Sequence, residues 1–179
     1  MFLQFGASIL ARSLLLCLVT SGAVFPAHAA ELMAWRDARN ILELIVHLEL
    51  WLDESTSLPR NERDTNIRWI DRYSAATLPE SQHAAYGGDP RGRYDPDSDT
   101  IWLVHPWDPR DPRDVSVLLH ELIHHRQAVA GHWYCPGAQE LPAYRTQQAW
   151  LAELGLEINV NWIAVVLESG CTPRDFHPD

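Results

Sequence analysis

The sequence predicts an α+β domain that is mainly helical and contains a small antiparallel sheet. Apolar residues recur at intervals of three and four from Met33 to about Asp53, which is typical of an amphipathic helix. A second apolar run, Leu118 to Ile123, is interpreted as part of another helix. Two short strand candidates, Arg91 to Tyr94 and Thr100 to His105, flank a turn rich in proline and aspartate, and this arrangement indicates a hairpin.

The chain contains 179 residues, and residues 1–29 are predicted to form a secretory signal. Arg12 is the only charge in this segment, Ser13 to Val24 is largely apolar, and Ala27-His28-Ala29 is a small-x-small cleavage site. Cleavage after Ala29 would export a single domain, residues 30–179, to the periplasm or out of the cell, with no membrane anchor left.

The first half of the exported chain is predicted to hold one helix and one strand. His47 and Glu49 lie within the helix and are interpreted as ordinary surface positions. Asn66 to Tyr73 is predicted to be a short strand. Ala75 to Ala85 is expected to be a short helix or turn-rich segment, and Gly87 to Pro90 a loop.

Three helical segments are predicted after the hairpin. Asp114 or Ser116 is expected to cap the first, which should end at Gly131. The second is expected to run from about Glu140 to Leu154, and a last helical or mixed segment covers Ile158 to Glu168.

The charge of the chain is strongly acidic. It contains 24 acidic and 14 basic residues, all of the latter arginine, for a net charge of −10. Nucleic acids and anionic lipids bind preferentially to basic surfaces, so neither is expected as a partner of this acidic chain.

The chemistry is expected at His120-Glu121-Leu122-Ile123-His124. In a helix, a spacing of four places His120 and His124 one turn apart on one face, where they can share a metal ion. Glu121 is then placed to act on a water at that metal. The alternative is a helix that carries two histidines without a metal.

A catalytic zinc site usually has three protein ligands, and Glu140 is predicted to be the third because a helical hairpin would return it to the histidines. Its alternative role is a carboxylate at a helix N-terminus. His132, Cys135 and Glu153 are the competing ligands, and His125 is expected to support a ligand or to lie at the surface. Asp108, Asp111 and Asp114 are interpreted as loop and capping residues.

Cys135 and Cys171 are the cysteines that remain after cleavage. Export favours a disulfide between them, and the competing interpretation makes Cys135 a metal ligand.

The His-Glu-x-x-His helix followed by Glu140 resembles the zincin metallopeptidases of the gluzincin type. More narrowly, residues 91–154 resemble small exported bacterial zincin-like proteins of unassigned function. The matching features are the strand segment Ile101-Trp102-Leu103, the motif helix, and a Glu-x-x-Ala-Tyr-type helix beginning at Glu140. The resemblance implies a zincin-like domain with its small sheet packed beside the motif helix.

As a zincin, the chain would hold zinc through His120, His124 and Glu140 and hydrolyse a peptide or protein substrate. Glu121 would be the general base, and Tyr144, or else His125 or His132, would give a second hydrogen bond to the reacting carbonyl. By analogy, the strand Thr100 to His105 would pair with an extended peptide. The alternative is a non-catalytic exported zinc-binding module or inhibitor, whose structural zinc would take Cys135 or His132 as a fourth ligand.

Overall fold

The structure is a computed structural model that describes residues 34–76 and 91–171. Two 3₁₀ turns, Ala34–Asp37 and Pro136–Gln139, precede helices. The regular elements are α1 (Ile41–Ser55), β1 (Asn66–Ile70), α2 (Arg72–Ala76), β2 (Gly92–Asp95), β3 (Thr100–Val104), α3 (Pro112–Ala130), α4 (Glu140–Glu153) and α5 (Trp162–Ser169). The predicted signal segment, the loop Gly87–Pro90 and most of the predicted segment Ala75–Ala85 lie outside the described residues.

The fold is α+β, as predicted, and its sheet has the strand order β1-β3-β2. β2 and β3 form the predicted antiparallel hairpin, with Gly92 opposite Leu103. β1 pairs with the other edge of β3 and runs parallel to it, so the sheet is mixed rather than antiparallel throughout. A parallel pair needs a long connection, which here is the chain from residue 71 through the hairpin to β3.

The first long helix is shorter than the apolar periodicity predicts. α1 begins at Ile41 because Asn40 caps it, its side chain accepting a hydrogen bond from the backbone N–H of Glu43. The predicted strand likewise ends early, at Ile70. Asp71 accepts hydrogen bonds from Ser74 and so starts α2, which takes up the last predicted strand residues.

The cap of α3 is neither Asp114 nor Ser116 but Asp111, one of the aspartates interpreted as loop and capping residues. Asp111 accepts a hydrogen bond from the backbone N–H of Arg113, and Pro112 occupies the first helical position, where a missing N–H does no harm. Asp114 instead pairs with Arg91 and accepts from the backbone N–H of Asp108. Gly131 ends the helix as predicted, with a φ of 143°.

α3 is the central helix of the domain. Every residue from Leu118 to Gln127 is buried, and the helix packs against α1, α4, β2 and β3. α4 begins at Glu140 as predicted, and α5 lies in the region predicted to be helical. Within the described ranges, no helix is both long and apolar enough to cross a membrane.

A buried ion pair joins α1 to α3 and corrects the surface interpretation of Glu49. Arg126, 1% exposed, pairs with the Glu49 carboxylate and donates to the Glu49 carbonyl oxygen at 2.8 Å. The same guanidinium pairs with Asp53 at 2.7 Å and donates to the Leu58 carbonyl. Residues 77 positions apart in the chain form this pair, so local periodicity could not indicate it.

Candidate metal centre

Three predicted ligands meet where the start of α4 packs on the middle of α3. His120 Nε2 and His124 Nε2 lie 3.0 Å apart, and each lies 3.4 Å from an oxygen of Glu140. All three side chains are buried, and one candidate ligand atom from each lies within 4.8 Å of the others. The structure thus brings together the three residues that the sequence predicts to be metal ligands.

The spacing of these atoms suits a four-coordinate metal. Zinc binds nitrogen and oxygen at about 2.0–2.1 Å, and tetrahedral angles then place neighbouring ligand atoms about 3.3 Å apart. The two Nε2 atoms lie 3.0 Å apart, and each lies 3.4 Å from a different oxygen of Glu140, so each pair of candidate ligand groups is separated by close to that value. Three protein ligands also match the number at catalytic zinc sites, where the fourth position serves water or substrate.

A chain of hydrogen bonds fixes the tautomer of His120. The Ser116 hydroxyl donates to the Arg113 carbonyl at 2.7 Å, so it accepts from the Gln147 amide nitrogen at 2.9 Å. The amide oxygen of Gln147 therefore faces His120 Nδ1 at 3.1 Å and can only accept. Nδ1 carries the proton, and the lone pair of His120 lies on Nε2.

The side-chain amide of Gln127 fixes the tautomer of His124 in the same way. Gln127 donates through its side-chain nitrogen to the Gln139 carbonyl at 2.9 Å, so its oxygen accepts from His124 Nδ1 at 2.8 Å. Both imidazoles thus present Nε2 lone pairs to the same point, beside a carboxylate. Hydrogen-bond acceptors that orient the far nitrogen of each histidine in this way are typical of metal sites.

The surroundings of His120 favour its neutral form. Burial lowers the pKa of His120 below its ordinary value of 6.5, and this effect outweighs the hydrogen bond that the protonated ring would donate to Glu140, which acts in the opposite direction. A neutral ring is the form that binds a metal.

Glu121 lies on the part of α3 that faces β2 and is 1% exposed. Gly92 makes room for it, because a Cβ at that position would lie 2.8 Å from Glu121 Oε1 and 2.7 Å from Val117 Cγ1. The carboxylate is also close enough to His120 to raise the pKa of that ring, although burial has the larger effect. The edge strand therefore limits where the predicted general base can sit.

Tyr144 lies one turn after Glu140 on α4, as predicted. Its ring centroid is 4.4 Å from that of His120, and the side chain is half-buried. The tyrosine thus contacts the ring of a candidate ligand directly.

The competing ligands lie elsewhere. Cys135 forms the predicted disulfide with Cys171, which removes it as a metal ligand. Glu153 accepts a hydrogen bond from the indole of Trp51 at 3.0 Å. His132 is exposed, with its ring 6.4 Å from that of Tyr134, and is not part of the three-residue cluster.

His125 is buried, so it is not a surface residue. Its ring meets the edge of the Tyr94 ring at 5.5 Å, and its Nε2 lies 3.9 Å from Asp99. Tyr94 donates to the same aspartate at 2.7 Å. His125 therefore ties the motif helix to the hairpin rather than joining the ligand cluster.

A cleft of about 590 Å³ adjoins the cluster and is bordered by His124 and Glu140. Its remaining lining comes from the hairpin, the end of α3 and residues 131–139. The strand predicted to pair with a peptide cannot do so, because β3 lies between β1 and β2 and both of its edges are occupied. In the described sheet, β2 is the edge strand beside α3.

Three residues that shape the site were missed at the level of sequence: Gly92, Gln127 and Gln147. The position of Gln147 could have been inferred from the sequence. Glu140, Tyr144 and Gln147 are spaced by four and three residues and so share one face of α4. Gln127 similarly lies three residues after His124. Nothing local distinguishes Gly92 from the other glycines of the chain.

One family model, described as Domain of unknown function (DUF6647), matches residues 37–179. No curated protein and no solved structure matches the chain.

Proposed function

We propose that this chain, which belongs to the DUF6647 family, is a zinc-dependent metallopeptidase with a zincin-like site. His120, His124 and Glu140 would hold the metal. The observation that carries the proposal is the pair of glutamine amides that fix both imidazoles with Nε2 beside the Glu140 carboxylate. Two imidazoles and one carboxylate suit zinc among the common divalent ions.

Zinc, when bound, supplies Lewis acidity and lowers the pKa of water towards neutrality. Glu121 accepts the proton of the attacking water and passes it to the leaving amine. Tyr144, in contact with His120, donates a hydrogen bond to the carbonyl oxygen as negative charge develops there. The tight fit of Glu121 against Gly92 supports this role, because a general base must be held in place to be efficient.

The proposed substrate is a peptide or protein outside the cytoplasm, reached through export directed by residues 1–29. β2 offers the strand edge nearest the site, so an extended peptide pairs there rather than with β3. The net charge of −10 argues against a nucleic acid substrate.

The second candidate function, a non-catalytic module with a structural zinc, receives less support. A structural site is closed by a fourth protein ligand. Cys135 is in a disulfide, His132 is exposed, and the cluster found among the described residues has three members. A buried glutamate beside the cluster also has no use in a purely structural site.

Metal content measured by elemental mass spectrometry on the purified exported domain tests the ligand set. We expect one zinc per chain in the wild type and in Glu121→Gln, and loss of zinc in His124→Ala and Glu140→Ala. Glu54→Ala, which removes an exposed carboxylate on α1, is the control and should keep the metal. Zinc retained by Glu140→Ala would refute the ligand set.

Hydrolysis of a peptide library by the zinc-loaded protein then tests turnover. Glu121→Gln should abolish hydrolysis while keeping zinc, because glutamine cannot accept the proton. Zinc binding by a wild-type protein that cleaves nothing in a broad library would instead favour the non-catalytic module.

A further inference from the structure

Three aromatic side chains line the cleft beside the proposed metal ligands. Its volume, about 590 Å³, is in the range of small-molecule and side-chain sites. Tyr94 lines it from the hairpin, and Trp133 and Tyr134 line it from the segment between α3 and α4. Since His124 and Glu140 also border the cleft, a group bound there lies next to the proposed metal.

Two of these rings are held in place. Trp133 donates from its indole nitrogen to the Gln127 carbonyl at 3.0 Å, and Tyr94 donates to Asp99 at 2.7 Å while its ring packs on His125. Tyr134 is 93% exposed and presents its ring to solvent. The disulfide at Cys135 fixes the segment that carries both Trp133 and Tyr134. The rings are therefore available without rearrangement of the core.

The charges of the cleft favour some side chains over others. Among the described residues that line it, Arg93 and Glu140 carry formal charge at neutral pH, and Glu140 is a proposed metal ligand. No further carboxylate in that lining could pair with a lysine or arginine of a substrate. A basic side chain would meet Arg93 and the metal, and both would repel it.

We propose that this cleft binds an aromatic side chain of the substrate, next to the bond that is cleaved, and disfavours a basic one. This inference rests on the proposed zinc peptidase activity. An aromatic side chain loses much apolar surface to water on entering such a cleft and gains edge-to-face or offset stacking with the rings there.

Hydroxamates of different side chains test this selectivity without turnover, because the hydroxamate group binds the zinc itself. Isothermal titration calorimetry on the zinc-loaded protein would compare acetohydroxamate, phenylpropionyl hydroxamate and aminohexanoyl hydroxamate. We expect the phenyl compound to bind at least about tenfold more tightly than acetohydroxamate, and the amino compound no more tightly than acetohydroxamate. Equal binding of all three would overturn the inference and leave the zinc site standing.

Variants locate the selectivity. Tyr134→Ala is expected to reduce the preference for the phenyl compound about threefold or more while acetohydroxamate binds as before. Trp133→Leu, which removes a half-buried ring, should do the same. Tyr73→Ala is the matched control, since Tyr73 is 83% exposed on α2 and lies outside the cleft lining. An unchanged preference in both cleft variants would place the selectivity elsewhere and refute the assignment.

Failure of the underlying function gives a different result. A protein that takes up no zinc and binds none of the three hydroxamates would refute the proposed function, and the inference with it. A protein that binds zinc and all hydroxamates alike refutes the inference only.

Discussion

Replacement of Gln147 by leucine tests whether the hydrogen bond that His120 donates from Nδ1 prepares the proposed metal site. The amide oxygen of Gln147 accepts from His120 Nδ1 at 3.1 Å, and both groups are buried. Leucine has similar bulk but cannot accept a hydrogen bond. His120 would then have a buried N–H without its acceptor, and the tautomer that places the proton on Nε2 would compete with the metal.

The expected loss follows from these contacts. A buried donor left without an acceptor costs about 1–3 kcal/mol. Loss of an outer partner of a metal-binding histidine typically lowers affinity about 10–100-fold, which corresponds to about 1.4–2.7 kcal/mol. The two ranges agree, so we expect Gln147→Leu to weaken zinc binding by about that factor.

The assay is competition for zinc with a chromophoric chelator at neutral pH. Gln147→Glu keeps an oxygen acceptor for His120 Nδ1 and should bind zinc within a few-fold of the wild type. Gln148→Leu is the control on the same helix, since Gln148 accepts from the backbone of Ile158, away from the site. A folded Gln147→Leu protein with wild-type zinc affinity would refute the idea that the amide selects the tautomer.

Three other predictions concern the strand edge, the buried ion pair and pH. Gly92→Ala should keep zinc but lower kcat at least about tenfold, because the added Cβ would lie 2.8 Å from Glu121 Oε1; unchanged kcat would show that the strand does not place this carboxylate. Arg126→Met should lower the free energy of unfolding by at most about 3–5 kcal/mol, since it removes the buried cation of Glu49 and leaves the half-exposed Arg60 at 3.8 Å. Urea unfolding should show a smaller loss in the double variant with Glu49→Gln. Because burial lowers the pKa of His120, the unfolded chain binds a proton below about pH 6.5 that the folded, metal-free protein does not. The free energy of unfolding of the metal-free protein should therefore fall as the pH drops below that value. A urea unfolding midpoint that does not change with pH in this range would contradict the reasoning.

The proximity of His120, His124 and Glu140 could be predicted because their geometry is local. A helical spacing of four brings His120 and His124 together wherever the helix lies, and a short connection between antiparallel helices returns Glu140 to them. The disulfide followed from the pairing of the remaining cysteines. These inferences need no knowledge of how distant segments pack.

Features that depend on distant contacts could not be predicted. The direction of β1 relative to β3 depends on how the intervening chain crosses, and the apolar content of Asn66–Ile70 is the same either way. Glu49 resembles any polar residue of an amphipathic helix until Arg126 packs against it. The cap of α3 was ambiguous because several aspartates precede that helix, and only the backbone geometry selects Asp111.

The disulfide closes one loop, from Cys135 to Cys171, and a metal held by the proposed ligands would close another, from His124 to Glu140. The loops are staggered rather than nested, because Cys135 lies between the two ligand positions and Cys171 lies beyond both. A single cut of the backbone at residues 136–139 would therefore leave two pieces that the disulfide still joins covalently. With metal bound, the same pieces would also share its ligands, so the site could survive a nick in its own connecting segment. A cut between residues 125 and 134 differs, because both cysteines then belong to one piece and only the metal and packing hold the other. The position of a protease nick thus decides whether reduction can separate the halves of the site.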